Sequence, residues 1–223
     1  SMNSDRTPDE IIVVNDGGTP NLREMILAVP KKCPVIYARV LQDIPWNYPG
    51  ACNLGVFLSR GEILAFEDND NIPSRNYYEQ ALEYLEKNPN IGRMTARIRN
   101  VVPLEDMLTK PFEEWSVVNR IGPNQGTAII YRDIYTKIKG QDERFCGEYG
   151  YMYYNLRRVL LNRANVVFGS SGEYFYTDKA QSDLKRNMSV RNSALLHRNG
   201  KENITQSPIG ILNFTYSVDI LRQ

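Results

Sequence analysis

The sequence predicts an α/β fold with a mixed central sheet flanked by helices, and three observations carry that prediction. Two short apolar runs, residues 10–14 (EIIVV) and 62–66 (EILAF), have the composition of strands covered on both faces, and acids and turn formers follow each. Strand-like and helix-like segments alternate along the chain, the order that builds a layered α/β domain. The length of 223 residues, 42% of them hydrophobic, suits a single domain with a real core.

The elements follow in order. After the strand 10–14, the run Asn15-Asp16-Gly17-Gly18 marks a sharp exit. Asn21 can cap a helix over 22–28, with Glu24 three residues on completing a capping box. Residues 34–40 read as the next strand and 42–50 as a proline-containing loop. The segment 51–59 reads as a helix, with Leu54, Val56, Phe57 and Leu58 at mixed three- and four-residue spacing. Gly61 then allows a reversal through left-handed backbone angles into the strand 62–66. Ser74 is expected to cap an amphipathic helix over 75–87, with Tyr78, Ala81, Leu82 and Leu85 on one face, ended by Asn88-Pro89-Asn90. Residues 91–102 read as extended, 103–116 as irregular and acidic, 121–126 as a turn-rich loop, 127–131 as a strand and 132–138 as a short helix. Gly147 and Gly150 flank an aromatic cluster that opens a helix to about Arg163, and 164–168 reads as a strand. Beyond it, 172–201 is polar and loses periodicity, as a loop or a carboxyl-terminal arm would.

Composition excludes several classes. A formal net charge of +1 gives no global attraction to nucleic acid or acidic membranes. No apolar run approaches the roughly 18 residues of a membrane helix, and no amino-terminal signal pattern is visible. Cys33, Cys52 and Cys146 are widely spaced, with no C-x-x-C pair, which argues against a disulfide framework or a zinc site. A reduced, cytoplasmic protein is expected.

The acids after the strand 62–66 carry the chemistry. Glu67, Asp68, Asn69 and Asp70 stand at the carboxyl end of what reads as a central strand, where open α/β sheets bind ligands. Hard cations prefer oxygen donors, and one or two carboxylates with a diphosphate fill most of their coordination shell. Asp68 and Asp70 are therefore expected to hold a divalent cation that in turn holds a diphosphate. The stretch lacks the glycine and twelfth-position glutamate of a calcium loop.

Four motifs in order, Val14-Asn15-Asp16-Gly17, Ala51-Cys52-Asn53-Leu54-Gly55, Asp68-Asn69-Asp70 and Gly140-Gln141-Asp142-Glu143-Arg144-Phe145, resemble family 2 glycosyltransferases of the GT-A fold. The family patterns are an aspartate-glycine strand end, an "A-R-N-x-G" helix start, a "D-x-D" strand end and a "G-x-x-D-E-x-F" acceptor-side segment. The resemblance covers roughly residues 10–200 and implies a single domain with a nucleotide-sugar-binding half (10–100), an acceptor-side half (101–175) and a mobile loop or carboxyl-terminal arm (176–223). It implies that Asp16 contacts the nucleotide base, uracil first, and that Asn53 belongs to the donor site. Asp68 would lie near ribose and metal, Asp70 would bind the metal directly, and Mn²⁺ or Mg²⁺ would be required.

The chain departs from the family in three places. It begins at what would be the family's second strand. At the glutamate-aspartate pair that supplies the general base in inverting members it carries Met152 and Tyr153, and Met cannot take a proton. Glu148 is the nearest substitute, with Asp142 and Glu143 behind it. Three readings stay open: a displaced base, a retaining enzyme that needs none, and a catalytically weak domain. Finally, the only histidine, His197, falls later than the family's carboxyl-terminal histidine, and Asp178 stands nearer that place as a third metal ligand. Lys179, Lys185, Arg186, Arg191 and Arg198 make the arm basic, and Trp46 and Trp115 are candidates for an acceptor wall.

The resemblance thus implies transfer of a sugar from a nucleotide-diphosphate donor, UDP-linked first, to a hydroxyl of a glycan or glycoconjugate. The alternatives are a domain that binds nucleotide sugars or glycans without transfer, and a nucleotidyltransferase, which normally shows a Gly-rich basic loop absent here.

Overall fold

The computed structural model describes residues 6–17, 21–42, 44, 47–68, 71–89, 91–121, 128–137, 140–141, 143, 164–176 and 215–221. In chain order the elements are β1 (Ile11–Asn15), α1 (Leu22–Ala28), β2 (Val35–Val40), α2 (Tyr48–Leu58), β3 (Ile63–Phe66), β4 (Asn71–Pro73) and α3 (Tyr77–Lys87). There follow β5 (Ile91–Val101), α4 (Leu104–Thr109), a 3-10 turn (Phe112–Glu114), β6 (Asn119–Ile121), β7 (Ala128–Tyr131), α5 (Arg132–Lys137), β8 (Ala164–Tyr176) and β9 (Tyr216–Leu221). They fall into two units, one drawn from Ser1–Thr7, Ile63–Tyr131 and Leu160–Ala180, the other from Pro8–Glu62, Arg132–Val159 and Gln181–Gln223. No helix among the described residues is long and apolar enough to cross a membrane.

The unit containing Pro8–Glu62 is built on a three-stranded sheet in the order β1-β2-β9, with β1 parallel and β9 antiparallel to β2. Ala38 and Val40 of β2 pack with Leu54 of α2, and Val14, Ile44, Leu58 and Tyr216 close around them. The α2 helix starts at Tyr48, three residues before the expected start, because Pro49 falls in its first turn, where a missing N–H leaves nothing unsatisfied. Asn21 precedes α1 as expected, but its side chain caps nothing: φ −101° and ψ 21° are far from the extended angles a capping box uses. The turn after α2 does not use a left-handed Gly61; the positive-φ glycines among the described residues are Gly17 and Gly140. The Glu10 carboxylate holds that turn instead, accepting the Arg60 N–H at 2.5 Å and the Gly61 N–H at 3.3 Å.

The other unit holds a sheet in the order β3-β7-β5-β8-β4, with β6 paired to β5. Parallel pairing of β5 with β8 stands beside antiparallel pairing of β3, β5 and β6, so the sheet is mixed. The strand β3 corrects two expectations: it stands at one end of this order, and only Leu64 of its residues is buried. A four-residue apolar run reads alike for a covered strand and for an edge strand with one packed face.

Helix α3 begins at Tyr77 after Asn76, with the Ser74 carbonyl accepting the Tyr77 N–H at 3.1 Å, so its inward residues are Tyr77, Ala81 and Leu85. These pack with Ile91, Met94 and Ile129, and Tyr78 and Leu82 cover the cluster's margin. The segment 103–116 is more regular than expected, since Pro103 and Pro111 each precede a helical turn rather than interrupt one. Strand β8 runs on to Tyr176, past the strand end expected at 168.

Asp106 pins this segment. Its carboxylate binds the Lys110 ammonium at 2.8 Å and accepts the Ser116 N–H at 2.9 Å, and these contacts, Lys110 first, lower its pKa from 3.8 to about 2. A group whose folded pKa lies below its unfolded one stabilises the fold above the unfolded value and loses that contribution as pH falls. Asp106→Asn is therefore expected to lower the denaturation midpoint at pH 7. The difference from wild type should shrink as the pH falls from 3.8 towards 2, as a denaturant titration at each pH would show.

Candidate functional site

Two polar constructions stand at the ends of the elements the sequence singled out. The first closes β1. Asn15, 5% exposed, donates from Nδ2 to the Tyr37 hydroxyl on β2 at 3.0 Å and accepts the Gly17 N–H at Oδ1 at 3.2 Å. This side-chain turn holds Asp16 half-buried between its partners, and Gly17 takes φ 112°, a conformation that disfavours any side chain. Burial raises the pKa of Asp16, against a smaller lowering by its own backbone N–H. The arrangement leaves a desolvated carboxylate at the carboxyl end of a parallel strand.

The second is centred on Asn53, in the middle of α2 and 2% exposed. Its Nδ2 donates to the Gln141 carbonyl at 2.8 Å and to Glu143 Oε1 at 2.9 Å. Its Oδ1 accepts the Tyr135 hydroxyl at 2.7 Å and the Gln141 N–H at 3.0 Å. Both donors and both acceptor sites of the amide thus have protein partners. The hydrogen bonds of Asn53, the residue expected at the donor, join α2 to α5, Gln141 and Glu143. Tyr135 is fully buried and its pKa is raised, by burial first, then by Cys52 and Glu143. Gly140 enters the same segment at φ 67°, its N–H bonded to the Tyr135 carbonyl at 2.9 Å.

Of the other expected site residues, Asp68 is described and half-buried, two residues beyond β3. Its neighbour Glu67 is exposed and accepts the Tyr78 hydroxyl. Asp70, Asp142, Glu148 and Asp178 lie outside the described residues, as do Trp46, His197, the helix expected to end near Arg163 and the basic arm. Among the described residues no three His, Cys, Asp or Glu side chains gather as a metal cluster. The carboxylate oxygens of Asp68 are nevertheless the donor type a hard divalent cation takes. Trp115 tilts against Phe112, ring centres 4.9 Å apart, and donates to the Lys110 carbonyl at 3.2 Å, contacts within its own segment.

Sequence reasoning missed Arg132. Its guanidinium donates to the Gly61 carbonyl at 2.7 Å, the Val56 carbonyl at 3.0 Å and Ser59 Oγ at 2.6 Å, tying α5 to the carboxyl end of α2. A signal was present: Arg132 opens a helix, where the dipole disfavours a cation, so its charge serves another element.

Comparison with known proteins agrees with this architecture. The family model described as glycosyl transferase family 2 matches residues 2–149. A protein of Rickettsia bellii named "Uncharacterized glycosyltransferase" is 34% identical over 79 residues, which are 35% of this chain and 11% of that protein. Among solved structures, the mannosyltransferase PcManGT from Pyrobaculum calidifontis, in complex with GDP-Man and Mn²⁺, superposes with a TM-score of 0.60 at 15% identity, over 95% of this chain and 61% of that one. TarS 1-349 of S. aureus superposes with a TM-score of 0.55 at 13% identity, over 79% of this chain and 54% of that one. The chain thus matches 61% or less of the length of each of these relatives.

Proposed function

The chain belongs to glycosyl transferase family 2 and has the GT-A fold, and we propose on that footing that it transfers a sugar from a nucleotide-diphosphate donor to a hydroxyl acceptor on a glycan or glycoconjugate. The observation that carries this reading is Asp16, a half-buried carboxylate held by a side-chain turn at the carboxyl end of a parallel strand, where α/β sheets bind nucleotides. A desolvated carboxylate there is a strong acceptor for the imide N–H of uracil, which makes a UDP-sugar the first donor to test. The Pyrobaculum neighbour was solved with GDP-Man, which makes a GDP-sugar the second.

Asp68 and Asp70, with Asp178, would hold Mn²⁺ or Mg²⁺. Bound there, the cation would supply charge stabilisation for the departing diphosphate. The acceptor-side carboxylates are Glu148, Asp142 and Glu143. A carboxylate of this set takes the acceptor hydroxyl's proton as its oxygen bonds to the anomeric carbon and the nucleoside diphosphate leaves. Met152 and Tyr153, standing where the family's acidic pair would be, support the second reading, a domain that binds the donor without turning it over.

Calorimetric titration with UDP, GDP and dTDP, with and without Mn²⁺, tests the donor site. One nucleotide is expected to bind best, more tightly with Mn²⁺, and Asp16→Ala is expected to weaken it about tenfold. Absence of binding by all three would remove the reading.

A further inference from the structure

We infer that Asn53 is a positioning residue: its side-chain amide holds Glu143 and the segment around Gln141 in the orientation the acceptor-side step requires. The inference rests on the reading of Glu143 as one of the acceptor-side carboxylates.

An asparagine in the interior of a helix is a poor helix former, and buried polar groups are unfavourable unless bonded. Asn53 stands at such a place, 2% exposed, and its hydrogen bonds within the protein leave its own helix for Tyr135, Gln141 and Glu143. Two of them grip the main chain of Gln141 from both sides, N–H and carbonyl. The Gln141 side chain offers no such grip, since among the described residues neither its Oε1 nor its Nε2 finds a partner. The remaining donor reaches Glu143 Oε1 at 2.9 Å, a charge-assisted bond to a half-buried carboxylate. A residue needed only to seat the segment would require the main-chain bonds alone. The bond to Glu143 sets which way that carboxylate faces and favours its charged form. Tyr135, donating to Oδ1, fixes the orientation of the amide so that Nδ2 points at Glu143. Among the described residues the other titratable groups of this cluster, the Tyr135 phenol and the Cys52 thiol, are of types that ionise far above the acidic limb of a carboxylate.

The test is the pH profile of donor turnover with acceptor present, for Asn53→Asp and Glu143→Gln beside wild type. Asn53→Asp keeps the acceptor oxygen, removes the amide donors to the Gln141 carbonyl and to Glu143, and sets a like charge against Glu143. The acidic limb of kcat/KM is expected to move up by about one pH unit, and kcat to fall about tenfold at neutral pH. A residue that merely supports the fold would lower activity without moving the limb. If Asn53→Asp fails to fold by circular dichroism, Asn53→Ala carries the test, removing the amide donor without adding charge, and the same directions are expected. An unmoved limb with Glu143→Gln inactive overturns the positioning role alone. A Glu143→Gln variant with wild-type turnover and profile overturns the reading of Glu143 itself, and the inference with it.

Discussion

Replacing Asp68 by asparagine is expected to lower donor turnover by about a hundredfold, the order of effect seen when a preorganised charge is removed from a reacting centre. The substitution keeps the side chain's shape, removes its negative charge and turns one acceptor oxygen into a donor. Asp68 is half-buried two residues past the end of β3, whereas Glu67 beside it is exposed and bonded to Tyr78. Glu67→Gln therefore serves as the neighbouring comparison, with an expected change below about threefold. On the proposal that both carboxylates hold one cation, Asp70→Asn should match Asp68→Asn. If Asp68 were only a solvated turn residue, its substitution would act like that of Glu67, and comparison of the two rates at saturating Mn²⁺ separates the cases.

Arg132→Met is expected to destabilise the protein by about 2–4 kcal/mol, from loss of three hydrogen bonds to a charged donor. Methionine retains the apolar stem, so the change isolates the guanidinium. The Val56 carbonyl belongs to the last turn of α2, where carbonyls lack helical partners and the dipole favours a cation. Ser59 Oγ donates to the same carbonyl at 2.9 Å and accepts Arg132 Nη2, so the variant leaves that end of the helix with one clamp instead of two. For a chain of this length the loss corresponds to a melting temperature lower by roughly 5–15 °C. A shift within about 2 °C would show that Ser59 and the Gly55 carbonyl hold the helix end unaided.

The elements whose signal is local were legible. The strands β1, β2, β5 and β7 and the helices α1 and α5 fall within a residue or two of their expected bounds, because apolar runs, prolines and glycines mark them within the segment itself. What escaped depends on partners distant in sequence. The edge position of β3 is set by its pairing with β7, about sixty residues on, which no property of ILAF encodes. The strand β9 falls in the stretch expected to be an arm, and its place comes from pairing with β2, far earlier in the chain. Of the candidate site, the Asp16 turn could be read from Asn-Asp-Gly-Gly. The four-bonded amide of Asn53 could not, since its partners at 135, 141 and 143 lie more than eighty residues away.

The central claim is tested most directly by incubating the protein with a panel of UDP-, GDP- and dTDP-sugars, with and without Mn²⁺, and measuring free nucleoside diphosphate. Release from one donor class is expected, dependent on the metal and raised by a hydroxyl acceptor. Every donor remaining intact under conditions where its nucleotide binds tightly would contradict it, and the domain would then be a binder of nucleotide sugars.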